Sequence, residues 1–196
     1  EAAKKEFPKL SAQTKVSVVI WTTTPWTIPA NLAIALHPNY DYVAVQAKDE
    51  VLIVAKELLE RFTQVVGYEL PVLDRFSAKR LEGKKCRHPF LERDSLFILG
   101  NHVTIDSGTG CVHTAPGHGQ EDFEIGLEYQ LPVLNPVDNR GCFTEEVGLT
   151  ELVGLHVFKA NDKVCEILTR HNGLIKQENF SHAYPHCWRC KNKVLF

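Results

Sequence analysis

Short apolar stretches, several of them rich in β-branched residues, recur along the chain, and the strands that they predict outnumber the helices. Residues 15–23 are rich in β-branched side chains and predict a strand that ends before Pro25. Residues 42–46 and 51–55 predict two more strands, which the polar turn between them joins into a hairpin. Further predicted strands cover residues 70–73, 95–99, 102–105, 111–114, 132–137 and 174–179.

Apolar residues recur at helical spacing in three other segments. Residues 56–66, 120–129 and 160–169 predict amphipathic helices, and Gly67 ends the first of them. The buried side of the second helix is predicted to carry Phe123, Leu127 and Tyr129. Strands and helices do not alternate regularly, which argues against a doubly wound parallel sheet. We therefore predict an α+β fold with a mixed or antiparallel, β-barrel-like core and peripheral helices.

Length and composition fit a compact protein without a membrane segment. The chain has 196 residues, of which 44% are hydrophobic, and we expect one globular domain at residues 1–180 and a return segment at residues 181–196. No apolar run approaches the ~20 residues of a membrane span, and the N-terminal residues are too charged for a signal peptide, so we expect a cytoplasmic protein.

The absence of methionine favours an internal piece of a longer protein. The net charge of −2 provides no overall field for a polyanion, so any nucleic acid must be held locally.

The first candidate site is the threonine motif, WTTTPWTIPAN at residues 21–31. Thr22, Thr23 and Thr24 lie where the first predicted strand ends, and strand ends are frequent positions for functional residues. At most two of the three hydroxyls share a face unless the chain turns before Pro25. The alternative is an ordinary threonine-rich edge strand that enters a proline turn.

The second candidate site is the glycine–histidine motif, GTGCVHTAPGHGQEDF at residues 108–123. Asp122 falls in the first turn of a predicted helix, where the helix dipole favours a carboxylate. It is therefore either an ordinary helix-start acid or the counter-ion for a substrate ammonium group. His113 lies on a predicted strand and is either a structural histidine or part of a site.

Two familiar kinds of site fit this second motif poorly. A dinucleotide fingerprint needs a third glycine at the position of Asp122, which excludes that type of site. A metal site built from His113, His118 and Asp122 has a spacing that matches no common zinc pattern.

The six cysteines divide into two groups. Four of them show no paired spacing and are expected to be reduced thiols: Cys86, Cys111, Cys142 and Cys165. Cys187 and Cys190 form a C-x-x-C sequence, which can supply two of the four ligands of a structural zinc ion. We expect this half site to be empty in the isolated chain and to hold zinc in a longer parent protein.

Both motifs belong to a wider resemblance that covers nearly the whole chain. Together with NLAIALHPNYDYVAV at residues 31–45, VFKAND at residues 157–162 and SHAYPHCWRC at residues 181–190, they resemble the inserted editing domain of bacterial-type isoleucyl-tRNA synthetases. Valyl and leucyl enzymes have similar insertions, but their threonine run looks more like TTRP, whereas Thr24 is followed here by Pro25 and Trp26. The HIGH and KMSKS signatures of the synthetic site are absent, so this chain is not expected to activate amino acids.

The resemblance implies hydrolysis of valine wrongly attached to tRNA(Ile). One methylene alters the free energy of binding too little for a single pocket shaped for isoleucine to reject valine, and isoleucyl-tRNA synthetase is the standard example of this limit. A second, smaller pocket can reject the larger amino acid instead. In this family Asp122 is expected to bind the α-ammonium rather than to transfer a proton. His113 is expected to exclude the longer side chain. The other candidates implied are Thr22, Thr23 and Thr24 around the ester and terminal adenosine, Asn31 as a weaker positioning residue, and Trp21, His118 and Gly119 as substrate contacts.

The resemblance also implies partners and cofactors. A positioned water molecule is expected to attack the ester, so editing needs no cofactor, and zinc is expected only in the full-length parent, at Cys187 and Cys190. The expected partners are the acceptor end of tRNA(Ile) carrying valine and the rest of the synthetase, with the protein as a monomer. The alternatives are a passive or zinc-stabilised tRNA-binding insertion, a valyl- or leucyl-type editing domain, and an unrelated metallohydrolase.

Overall fold

The structure is a computed structural model that describes residues 6–7, 10, 14–178 and 184–195. Its strands are β1 (Lys15–Val18), β2 (Ala33–Leu36), β3 (Asp41–Ala47), β4 (Glu50–Ala55), β5 (Val72–Ser77), β6 (Lys85–Arg87), β7 (Asp94–Leu99) and β8 (Cys111–Thr114). Its α-helices are α1 (Leu59–Val66), α2 (Gln120–Glu128) and α3 (Val157–Arg170), and short 3₁₀ helices cover Pro25–Ala30, Lys56–Leu58, Ala78–Arg80 and Glu145–Val147. Within these described ranges, no helix has the length and hydrophobicity needed to cross a membrane.

The strands form two four-stranded mixed sheets. The first has the order β1-β4-β3-β5, with β1 parallel to β4 and the other neighbours antiparallel. The second has the order β6-β7-β2-β8, with β2 parallel to β7 and antiparallel to β8. This arrangement confirms the predicted α+β class, but the term barrel-like was too loose, because the described strands form two separate sheets.

The β3–β4 hairpin is buried on both faces and forms the centre of the first sheet. Because side chains alternate along a strand, one face of the hairpin packs with Phe62 of α1 and the other packs with Phe76 of β5. Tyr42 lies on the second face, where its hydroxyl donates to the Gly110 carbonyl at 2.6 Å and accepts from the His37 N–H at 2.9 Å. Burial raises the pKa of Tyr42 well above its ordinary value, so this hydroxyl stays neutral.

The chain divides into two compact units. The first contains the described residues of Glu1–Thr22, Ala33–Cys86 and Asp94–Thr114, and the second contains those of Thr23–Leu32, Arg87–Arg93 and Ala115–Phe196. In the second unit, α3 places its apolar stripe in a core that includes Trp26, Ile28 and Phe143. The domain boundary expected at residue 180 lies outside the described residues and stays a prediction.

Local sequence patterns predicted the hairpin, α1, α3, β7 and β8 well, and failed where prolines or turns intervene. Residues 102–105 are irregular after a turn instead of forming a strand, and residues 174–178 are also irregular. Residues 132–137 form only an isolated bridge at Val137, since Pro132 and Pro136 lack the N–H groups that a strand ladder needs.

The predicted buried side of α2 was also wrong. Phe123 is 42% exposed and Leu127 is 60% exposed, whereas Ile125 and Gly126 are buried. A Cβ atom on Gly126 would lie 2.9 Å from Pro116 Cγ, so the helix approaches Pro116 more closely than a larger side chain allows. Close backbone approach, rather than the number of apolar residues, therefore decides which face of α2 is buried.

Gly110 offers a stability test of the first unit. It has a φ of +73° and a Cβ atom there would lie 2.3 Å from Ala55 Cβ, whereas Gly83 has a φ of +74° with nothing within 4 Å of the added atom. We expect Gly83→Ala to cost about 1 kcal/mol from backbone strain alone. Gly110→Ala should cost a further ~1–3 kcal/mol from overpacking, measured by urea denaturation. Equal losses in the two variants would contradict close packing at Gly110.

Candidate functional site

The threonine motif leaves the first sheet earlier than its composition predicts. Strand β1 ends at Val18 rather than at residue 23, and Pro25 opens a 3₁₀ helix at Pro25–Ala30. Thr22, Thr23 and Thr24 are half-buried in the connection between these elements. Thr23 and Thr24 belong to the second unit, where their Oγ1 atoms lie 3.4 Å apart.

The 3₁₀ helix Pro25–Ala30 is buried and is held by side chains from two other segments of the second unit. At its start, the Trp26 N–H donates to Asn161 Oδ1 at 3.0 Å. At its end, the Ile28 carbonyl accepts from the Asn31 N–H and from His88, each at 2.9 Å. The Pro29 carbonyl accepts from the Arg93 guanidinium.

His88 is a buried neutral histidine whose tautomer is set by its neighbours. Its Nδ1 accepts from the N–H groups of Phe90 and Leu91, at 3.3 and 3.1 Å. The proton of the neutral ring must therefore reside on Nε2, which donates to the Ile28 carbonyl. Burial lowers the pKa of His88 to about 4. Apart from a histidine that precedes a proline, the sequence contains no signal for this role.

Residues 115–119 of the glycine–histidine motif form the loop between β8 and α2. Asp122 is half-buried in the first turn of α2, and its Oδ2 accepts from the Ala115 N–H at 2.9 Å. His118 packs edge-on against Trp26, with ring centroids 4.9 Å apart. The structure thus brings the two sequence motifs together within the second unit, through the Trp26–His118 contact. Gly119 is the residue immediately before α2 and has an extended backbone.

The remaining candidates of the two motifs belong to the first unit. His113 is half-buried on β8, in register with Ile34 of β2. Trp21 is 42% exposed and lies against Gly108, where a Cβ atom would be 3.2 Å from Trp21 Cβ. Thr22 follows Trp21 and is the last residue of the first chain segment in this unit.

Across the described ranges, no three His, Cys, Asp or Glu side chains are grouped so that they could hold a metal ion. Cys187 and Cys190 are free thiols on a tight turn, where the Lys191 N–H donates to the Cys187 carbonyl at 2.9 Å. The N–H groups of Cys190 and Arg189 lower the pKa of the Cys187 thiol, as suits a thiolate ligand. Of the SHAYPHCWRC sequence, residues 181–183 lie outside the described residues.

The burial of His88 predicts a specific pH dependence of stability. Because its pKa is about 4 in the folded protein and 6.5 in the reference state, the unfolded chain binds the proton first and stability falls as the pH drops through this window. Between about pH 7.5 and pH 5, the free energy of unfolding should fall by ~2 kcal/mol because of His88. His88→Gln should remove that part of the pH dependence, measured by urea denaturation at both pH values. An identical pH dependence in the variant would contradict a buried neutral His88.

Comparisons with known proteins identify the family. The model for "Leucyl-tRNA synthetase, editing domain" matches residues 6–152. The isoleucine–tRNA ligase of Fervidobacterium pennivorans is 54% identical over 179 residues, which is 91% of this chain and 19% of that protein. The isoleucine–tRNA ligase of Petrotoga mobilis is 47% identical over 192 residues, covering 97% of this chain and 21% of that protein. The chain therefore spans about a fifth of the length of these relatives.

Solved structures agree with this family at the level of the fold. The structure of GlLeuRS-CP1 aligns with a TM-score of 0.69 at 16% identity and covers 93% of this chain and 90% of that chain. The editing domain of the Plasmodium falciparum cytosolic leucyl-tRNA synthetase aligns with a TM-score of 0.61 at 10% identity and covers 89% of this chain and 86% of that chain. The chain belongs to the leucyl-tRNA synthetase editing-domain family, which confirms the resemblance seen in the sequence.

Proposed function

We propose that this editing domain hydrolyses valine from misacylated tRNA(Ile) and spares isoleucine. The observation that carries the proposal is the 47–54% identity to isoleucine–tRNA ligases over nearly the whole chain. The leucyl structures, at 10–16% identity, support the fold and do not bear on the amino acid. Discrimination by size suits this task, because a small pocket can admit valine and exclude isoleucine by overlap.

Asp122 is proposed to bind the α-ammonium group of the valyl ester. A carboxylate can accept several hydrogen bonds, so its bond from the Ala115 N–H is compatible with an ammonium contact. The same bond fixes the direction of the carboxylate before a substrate arrives, which reduces the entropy lost on binding. A carboxylate paired with a cation is a weaker base, so the role proposed for Asp122 is anchoring rather than proton transfer.

The hydroxyl groups of the threonine motif are proposed to contact the ester and the terminal adenosine. Thr23 and Thr24 are half-buried with their hydroxyls side by side, and Thr22 precedes them. Trp21, His118 and Gly119 are proposed as further substrate contacts. Asn31 is buried, which suits a positioning role rather than a direct one. An aminoacyl ester is already reactive, so a positioned water molecule suffices and no protein nucleophile or cofactor takes part.

The partners follow from this reaction. We propose that the acceptor end of tRNA(Ile) delivers the ester, that the rest of the synthetase holds the tRNA, and that the protein is monomeric and cytoplasmic. Cys187 and Cys190 are proposed to supply half of a zinc site that residues elsewhere in a full-length synthetase complete. Zinc analysis of such a synthetase is the measurement for that last point.

Asp122→Asn separates the charge of Asp122 from its structural bond. The amide oxygen can still accept from the Ala115 N–H, so the domain should lose only the ~0.3–1 kcal/mol that a charge in the first helical turn contributes. Loss of the charge should lower kcat/KM for valyl-tRNA(Ile) hydrolysis by about 10- to 100-fold, the scale of a hydrogen bond to a charged group. The matched control is Glu121→Gln, which removes the same charge from an exposed position one residue earlier.

These variants are measured by release of labelled valine, with the chain alone and with an isoleucine–tRNA ligase that carries it. Unchanged hydrolysis in Asp122→Asn would rule out anchoring by charge. Absence of hydrolysis in the unaltered protein would instead favour a passive tRNA-binding insertion.

His113→Ala tests the exclusion of isoleucine. Removal of the imidazole should open space for one more carbon and raise hydrolysis of correctly charged isoleucyl-tRNA(Ile) by at least about tenfold, the lower end of the discrimination that one methylene provides in an apolar pocket. Val112→Ala is the control, because Val112 points to the opposite face of β8. If both variants still spare isoleucine, His113 is not the excluding wall.

A further inference from the structure

We propose that Asn161 and His88 are positioning residues, which hold the 3₁₀ helix Pro25–Ala30 from both ends so that Thr23 and Thr24 face the editing substrate. This inference rests on the proposed function. Neither residue belongs to the two motifs from which the site was built. Asn161 comes from the VFKAND sequence at residues 157–162, and His88 precedes Pro89 in a separate loop.

Asn161 supplies an acceptor that this helix lacks. The first N–H groups of any helix have no partner inside it, and a threonine at the preceding position normally accepts from them through its side chain. Thr24 occupies that preceding position but makes no side-chain capping bond to the helix. The Trp26 N–H donates instead to Asn161 Oδ1, at 3.0 Å, across 135 residues of sequence.

The hydrogen bond between Trp26 and Asn161 also affects the direction of the Thr24 hydroxyl. Because Asn161 satisfies the Trp26 N–H, the Thr24 side chain does not turn back onto the helix, and its Oγ1 lies beside that of Thr23 at 3.4 Å. Without an acceptor at residue 161, capping by Thr24 becomes favourable. That rotation would withdraw the hydroxyl from the substrate side of the segment.

His88 acts at the other end of the helix. Its Nε2 donates to the Ile28 carbonyl at 2.9 Å, while two backbone N–H groups fix its ring through Nδ1. Pro25 and Pro29 lack N–H groups, so the helix has few internal hydrogen bonds of its own. External partners at both ends therefore fix the position of the segment that carries the threonines.

The test compares variants that keep or remove one hydrogen bond each. Asn161→Ala removes the acceptor for the Trp26 N–H, and Asn161→Asp keeps it. His88→Asn retains an acceptor near the place of Nδ1 but does not reach Ile28, whereas His88→Gln places its amide N–H near the place of Nε2. Asp162→Asn, at the exposed neighbour of Asn161, is the control.

Hydrolysis of valyl-tRNA(Ile) is measured with the chain and with an isoleucine–tRNA ligase that carries it. We expect Asn161→Ala and His88→Asn to lower kcat by about tenfold or more with little change in KM, since small displacements of aligned groups are costly. Asn161→Asp, His88→Gln and Asp162→Asn should stay within about twofold of the unaltered protein. A general loss of folding would not separate the variants in this way.

A spectroscopic signal makes the test independent of activity. The protein is labelled with 5-fluorotryptophan, and the Trp26 resonance is assigned with Trp26→Phe. Asn161→Ala and His88→Asn should shift this ¹⁹F resonance, and the conservative variants should restore it. Unchanged kcat and an unchanged resonance in Asn161→Ala would overturn the proposal, as would an equal loss in Asn161→Asp. If the unaltered protein hydrolyses no ester, the proposed function fails, and the resonance alone decides whether Asn161 and His88 fix this segment.

Discussion

The hydrogen bonds that the 3₁₀ helix Pro25–Ala30 receives from outside are the constraint on which the threonine motif depends. A short helix with two prolines has few N–H groups for internal bonds, yet most of its residues are buried. Buried backbone groups need partners, and here Asn161 accepts at one end while His88 and Arg93 donate at the other. The position of Thr23 and Thr24 follows from these contacts.

Asp122 is likewise held in place by a hydrogen bond to a backbone group. Its carboxylate closes the loop that precedes α2 by accepting from the Ala115 N–H, and its place in the first helical turn favours negative charge. A group that the fold already holds is oriented before any substrate arrives. An ordinary helix-start acid and a substrate anchor are therefore compatible descriptions of one residue, although the sequence presents them as alternatives.

The sequence failed where a close approach or a missing hydrogen-bond donor outweighed the count of apolar residues. Phe123 and Leu127 have helical spacing, but the contact of Gly126 with Pro116 turns the other face of α2 inward. Residues 132–137 are apolar enough for a strand, but their prolines prevent a regular ladder. In the first unit, by contrast, the apolar β3–β4 hairpin and the amphipathic α1 followed their local patterns closely.

By itself, the sequence determined the α+β class, the hairpin, the helices α1 and α3 and the two motifs that hold the candidate residues, because periodicity and motif spacing are local properties. Only the tertiary structure decided that the strands form two sheets, that Trp26 meets His118, and that Asn161 and His88 hold the threonine motif. Those contacts join residues far apart in the chain. Hydrogen bonds between side chains and backbone groups that are far apart in the chain produce no periodic pattern in a single sequence. They can therefore be identified only in the three-dimensional structure.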